Sequence, residues 1–141
     1  MRFLDTNVFV YAYYKPKKQL SQREFDMKEN ARNIVSNVIQ GKENVLTTVI
    51  HLFEIVNILK HVMTLDEVRE IVRGLFMLEN VRIADVTRNM FFDASELGNE
   101  INLDANDALA LDVMESNGVA EIYSFDEDFD RVDKIKRLPM V

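Results

Sequence analysis

The chain has 141 residues, 48% of them apolar, with four glycines, two prolines and no cysteine. That composition specifies one globular, helix-rich domain and excludes disulfide frameworks, cysteine-ligated zinc and thiol catalysis. The net charge of 17 − 24 = −7 runs against the basic surface that polyanion binders usually carry, although Lys15-Pro16-Lys17-Lys18 with Arg23, and the stretch from Arg131 to Arg137, are locally basic.

Strand and helix signals alternate, which predicts an α/β domain with a parallel sheet covered on both faces. The first apolar run, residues 2–5, ends in Asp5 and turns through Thr6 and Asn7 into a helix. Ser21-Gln22-Arg23-Glu24 is a capping-box sequence, and the helix it opens runs to Gly41, a natural stop. A strand at 44–47 precedes a helix from Thr48 to His61 that is apolar around most of its circumference, so it is buried on several sides. Thr64-Leu65-Asp66-Glu67 is a second capping box, followed by Val68, Ile71, Val72, Leu75 and Phe76 at helical spacing. After a strand at 81–85, Thr87 caps a helix carrying Met90, Phe91, Ala94, Leu97 and Ile101. Asp104 caps the next helix, which ends near Asn117-Gly118, and strands at 120–124 and 134–138 complete the set. No repeat or linker divides the chain, so residues 1–141 are read as one domain. Met1-Arg2-Phe3-Leu4-Asp5 meets an acid too soon for a secretory signal. No run reaches the roughly 18 apolar residues of a membrane span, so a soluble, cytoplasmic protein is expected.

Four acids carry the chemistry. Asp5 and Asp126 each close a strand, and a carboxylate there points into the crevice where open α/β sheets bind ligands. Asp107 lies in the first turn of a helix, and Glu54 interrupts an apolar one. Carboxylates that converge repel one another unless they hold a hard cation such as Mg²⁺. Plainer roles stand beside this one. Asp5 can simply cap its helix. The polar stripe His51, Glu54, Asn57 and His61 faces either solvent or a polar cleft. The two histidines lack His-Glu-x-x-His spacing, so they are expected at solvated or cleft-edge positions rather than on zinc. Asp104 and Asp107 both suit a helix N-terminus; capping falls to Asp104 and metal chemistry to Asp107. Asp126, Glu127, Asp128 and Asp130 form an acidic run of the kind usually found in a solvated turn, with Phe125 and Phe129 to anchor it. Ser124 is placed to bond a metal-bound water or a neighbouring carboxylate.

Taken together, Asp5-Thr6-Asn7-Val8, Glu54 in its apolar helix, Asp107-Ala108-Leu109-Ala110 and Ser124-Phe125-Asp126-Glu127-Asp128-Phe129 resemble the PIN-domain nucleases, most closely the VapC-type toxins of toxin–antitoxin pairs. The resemblance covers essentially the whole chain. It implies a three-layer α/β/α domain with a five-stranded parallel sheet, strands one and four adjacent near the switch point. It also implies Asp5, Glu54, Asp107 and Asp126 as an acidic cluster for Mg²⁺ or Mn²⁺, with Thr6, Asn7 and Ser124 in support and Asp104 and Asp128 beside them. The activity implied is metal-dependent endoribonuclease cleavage of RNA, with Lys15, Lys17 and Lys18 as candidates for holding phosphates. The implied partner is a small antitoxin of the VapB type. A homodimer is expected too, because the helices around Leu52, Phe53, Val56 and Leu59 and around Leu65, Val68, Val72 and Phe76 offer more apolar surface than a sheet face needs. Asp104 and Asp112 depart from the common pattern. The alternative reading is a non-catalytic PIN-like module that docks RNA or protein. A phospho-accepting receiver domain fits less well, since Asp5 stands alone after strand one and Asp85 would be its only central acceptor.

Overall fold

Five short strands set the frame: β1 (Arg2–Leu4), β2 (Val45–Thr48), β3 (Val81–Ala84), β4 (Glu121–Tyr123) and β5 (Lys136–Leu138). In the computed structural model, which describes residues 1–140, they form one sheet in the order β3-β2-β1-β4-β5. Every pairing is parallel. The chain winds outward from β1 through β2 to β3, then returns to lay β4 against the other side of β1. The switch point therefore lies between β1 and β4, where an open α/β sheet leaves its ligand crevice. The Asp5 N–H extends that pairing by donating to the Tyr123 carbonyl at 3.0 Å.

Among the described residues six helices cover the sheet: α1 (Thr6–Tyr13), α2 (Gln22–Ile39), α3 (Val49–Leu59), α4 (Leu65–Met77), α5 (Arg88–Ile101) and α6 (Ala105–Ser116). Alternation along the strands divides the core into two layers. Leu4 and Val45 pack with Val8 and Phe9 of α1, Ala31 and Val35 of α2, Ile55 of α3 and Leu75 of α4. Phe3, Leu46 and Ile122 turn the other way, onto Ala94 of α5 and Ala108, Leu109 and Met114 of α6. The result is the three-layer α/β/α arrangement expected.

Local chemistry places the helix ends. Both capping boxes close, with Ser21 Oγ accepting from Glu24 N and Thr64 Oγ1 from Glu67 N, each at 3.2 Å. α3 stops two residues short of the predicted His61, because Val62 and Met63 N–H both turn back to the Leu59 carbonyl, at 3.0 and 2.9 Å. Between α5 and α6 the chain reverses through Asn102, which takes a left-handed φ of 58°. Gly98 makes that reversal possible: a Cβ there would sit 2.5 Å from the Leu103 carbonyl oxygen. Lys28, in α2, is buried, and its ammonium donates to the carbonyls of Tyr11, Ala12 and Tyr14 at the end of α1. It satisfies acceptors that a helix C-terminus leaves open. Of the surplus apolar residues expected on α3 and α4, Leu52, Leu59 and Val68 are buried, while Phe53, Leu65 and Phe76 are each more than half exposed. No described helix is long and apolar enough to cross a membrane.

Candidate metal centre

The site is built at the carboxyl ends of β1 and β4. Asp5 leaves β1 as the N-cap of α1, and its Oδ1 accepts the Thr6 N–H at 2.9 Å. Ser124 leaves β4 beside it and donates its hydroxyl to Asp5 Oδ2 at 2.7 Å. The same Ser124 oxygen accepts from Asn7 Nδ2 at 3.3 Å and from Asp126 N at 3.1 Å. Asn7 Oδ1 in turn accepts the Phe125 N–H at 3.2 Å. One serine thus joins the first helix to the last acidic loop. Thr6 faces α3, where its hydroxyl donates to the His51 carbonyl at 3.1 Å.

Asp126 caps a 3₁₀ turn, Glu127–Arg131, by accepting the Asp128 N–H at 2.9 Å. That turn, where the sequence predicts a solvated one, brings Asp128 to the crevice. Asp107 arrives from the first turn of α6, whose cap is Asp104: Asp104 Oδ1 accepts the Asp107 N–H at 2.9 Å. As a result, single carboxylate oxygens of Asp107, Asp126 and Asp128 all lie within 4.8 Å of one another. Asp5 stands just outside this close group, yet near enough for its charge to act on Asp107. Glu54, half-buried on α3, accepts a hydrogen bond from Asn106 Nδ2. Asp112 is half-buried on α6 and outside the close group.

The cost of this crowding falls on the charged forms. Burial raises the Asp5 carboxyl to about 6; Ser124 and Thr6 oppose the rise, while Glu54 and Asp126 add to it. Asp107 is pushed up to about 8, first by burial and then by the charges of Asp104, Asp5 and Asp126, with a hydrogen bond to Asp126 favouring its protonated form. Glu54 is also raised, by burial and by Asp104, against a downward pull from Thr6. Without a cation, then, the site holds a proton near neutrality. Oxygen-only donors with suppressed ionisation suit a hard divalent ion such as Mg²⁺ or Mn²⁺, which restores the charged forms.

Two expectations change here. His51 is neither solvated nor at a cleft edge: its side chain is fully buried, edge-on to Phe3 at 4.9 Å. Burial holds its imidazole down at about 4, with a smaller upward pull from the Asn106 backbone, so the ring is neutral. The polar stripe of α3 is split by its neighbours, leaving Asn57 and His61 exposed at the far end. The second change concerns the basic stretch after Arg131. Arg137 is almost wholly covered and bonds both Asp130 oxygens, at 2.9 and 3.1 Å, and the Ser124 carbonyl at 3.2 Å. It braces the site loop rather than facing solvent. Asn106, which sequence reasoning passed over, is the neighbour that steadies Glu54; its position beside Asp107 was the available signal.

A family model described as the PIN domain matches residues 2–135. Among solved structures the chain is similar to VapC20 of Mycobacterium tuberculosis, a Sarcin-Ricin loop cleaving toxin. The identity there is 20% and the TM-score 0.67, over 92% of this chain and 93% of that one. It is also similar to a toxin-antitoxin complex from Klebsiella pneumoniae, at 14% identity and a TM-score of 0.62, covering 96% and 95% of the two chains. VapBC2 of Rickettsia felis, solved on a DNA fragment from its promoter, gives 16% identity and a TM-score of 0.62 over 96% of each. No curated protein matches the sequence.

Proposed function

Because the chain belongs to the PIN-domain family, we propose that it is a nuclease of that family and, more narrowly, a Mg²⁺- or Mn²⁺-dependent endoribonuclease of the VapC toxin type. One observation carries the reading: carboxylate oxygens from α6 and from the loop after β4 converge within 4.8 Å, beside a buried Asp5 from β1. Asp5, Glu54, Asp107 and Asp126 hold the cation, and Asp128 is a further oxygen at the rim. A bound divalent ion supplies a water of lowered pKa and charge to offset that of the phosphate. The chain's own residues do the placing. Ser124 fixes Asp5 and Asp126 through one oxygen, Asn7 fixes Ser124, Asn106 steadies Glu54, and Asp104 holds the turn that presents Asp107. Arg23 and Arg131 lie at the rim in exposed ion pairs with Glu127 and Asp128, at 2.6 and 3.4 Å. Such exposed pairs contribute little, so both guanidinium groups can be spared for a phosphate. Lys15, Lys17 and Lys18 add positive charge on the loop after α1.

The partner we propose is a small antitoxin protein of the VapB type, with the toxin itself a homodimer. Phe53, Phe76, Met77 and Phe92 are each at least 60% exposed, and apolar side chains of this size left uncovered together, as Phe76 and Met77 are at the end of α4, suit an interface. A largely apolar groove of about 910 Å³, lined by Tyr11, Tyr14, Lys17, Ile58 and His61 among others, has room for several side chains of a partner segment.

The test is cleavage of a generic structured RNA by the purified chain with Mg²⁺, with Mn²⁺ and with EDTA. Metal-dependent cleavage that is lost in Asp126→Asn supports the assignment. Cleavage that persists in EDTA would overturn it, and metal binding with no cleavage of RNA or DNA would favour the non-catalytic binding module.

A further inference from the structure

His51 Nε2 is the one buried side-chain polar atom among the described residues that has no hydrogen-bond partner. An orphaned buried donor or acceptor costs on the order of 1–3 kcal/mol, so its surroundings call for an explanation. The other ring nitrogen is anchored: Nδ1 lies 2.7 Å from Thr48 Oγ1, the N-cap of α3. That hydroxyl also accepts the His51 backbone N–H at 3.1 Å. It has one proton to give, and giving it to Nδ1 satisfies every group in the cap. Nε2 then carries the ring's proton. What it faces agrees, for both neighbours are acceptors: Asp5 Oδ1 at 4.0 Å, and the Asn106 backbone, which acts on the ring without a hydrogen bond being made. A bare nitrogen lone pair turned toward a carboxylate would be repelled.

The ring therefore sits beneath the acidic crevice, wedged between β1, the cap of α3 and the first turn of α6. At 4.0 Å it is about 1 Å too far from Asp5 for a hydrogen bond. Asp5 already takes Thr6 N on Oδ1 and Ser124 Oγ on Oδ2, so the carboxylate is held at two points and open at a third. We propose that His51 is a positioning residue for Asp5: its Nε2–H closes onto Oδ1 when that carboxylate takes up a divalent cation, and so sets the orientation of the ligand. This rests on the metal-dependent nuclease reading above. Ligating carboxylates depend on such outer donors, whose loss typically costs about 10–100-fold in metal affinity.

The experiment has two readouts that do not involve turnover. The first is the ¹⁵N imidazole spectrum of the whole protein, with His61→Gln used to identify the signals of His51. The Nε2–H tautomer is expected, with its proton moving downfield and exchanging more slowly once Mg²⁺ is added. The second is Mn²⁺ affinity by calorimetry. His51→Leu is expected to weaken binding about 10–100-fold, while His51→Gln, which offers an amide N–H at nearly the same place, keeps most of it. The Nδ1–H tautomer, a signal indifferent to Mg²⁺, a folded His51→Leu that binds Mn²⁺ as the parent does, or a His51→Gln as weak as a folded His51→Leu would each overturn the proposal. Should His51→Leu fail to fold, the tautomer and its response in the parent protein decide the matter. A parent chain that binds no Mn²⁺ removes the nuclease reading along with this one, whereas strong parental binding with an indifferent leucine variant removes this one alone.

Discussion

Asp5 and Asp107 are both acids whose neutral forms the fold favours, and that makes stability a sensitive reporter of the site. In Asp5→Asn the charge that burial opposes is gone, while an amide oxygen remains for the Thr6 N–H. Metal-dependent cleavage should fall by more than the roughly 100-fold typical of losing an outer partner. The melting temperature in EDTA should hold or rise; a variant that melts markedly lower would mean Asp5 is chiefly a structural cap. Asp107 gives a pH signature. Its folded-state value, about 8, lies above the unfolded value of about 3.9, so between them the folded chain binds more protons than the unfolded one. Stability of the metal-free protein must then fall as pH rises through that window. His51, at about 4 folded against about 6.5 unfolded, works in the opposite sense, but only below pH 6.5. The clean interval is therefore roughly pH 6.5 to 8. Urea midpoints in EDTA should drop across it and flatten with saturating Mn²⁺; no drop in EDTA would show that Asp107 is already ionised at neutral pH.

At the scale of elements, the sequence carried more of the frame than of the centre. Capping chemistry is local, so Ser21, Thr64 and Asp104 marked helix starts within a residue, and Asp5 follows its strand directly. Asp126, expected to close β4, instead lies three residues past Tyr123 and caps a 3₁₀ turn. His51 was misplaced because period alone groups it with Glu54 and His61; only the packing of β1 and α6 against one turn of α3 separates them. Asp128 depended on a 3₁₀ turn that Asp126 caps for itself, a hydrogen bond with no apolar periodicity behind it. The α5–α6 reversal allows a paired test. Gly74, exposed on α4 with nothing within 4 Å of an added Cβ, should gain about 0.5–1 kcal/mol as alanine from helix propensity. Gly98→Ala gains the same propensity but drives a methyl against backbone at 2.5 Å, and should lose about 1–3 kcal/mol net. Denaturant unfolding of both variants checks this. Opposite signs are expected, and equal gains would mean that the turn before Asp104 yields easily.

The whole molecule adds mass action. A cation that binds only the folded state stabilises it by RT ln(1 + [L]/Kd), about 2.7 kcal/mol at 100 times Kd. Melting temperature should therefore climb with the logarithm of Mg²⁺ or Mn²⁺ concentration, and a flat response from micromolar to several millimolar would contradict a metal centre. Exposed Phe53, Phe76 and Phe92 lead to the proposed dimer. Light scattering at micromolar concentration should give twice the 16.4 kDa of one chain; a mass that stays at one chain on concentration rejects it. The negative net charge fits this arrangement, since part of it is concentrated where a cation would offset it.

The hydrogen bond between Ser124 and Asp5 spans 119 positions of sequence. Everything on the early side of the crevice, β1 through α5, can be laid down and packed before its counterpart exists. Loop closure over such a span is slow and comes late in assembly. During synthesis from the N-terminus, Asp5 and Glu54 emerge long before Asp126, and β4 must find the side of β1 that β2 leaves open. Completion of the acidic cluster is therefore timed by topology: a chain ended before residue 124 can hold Asp5, Glu54 and Asp107, yet it lacks Asp126, Asp128 and the serine that fixes Asp5.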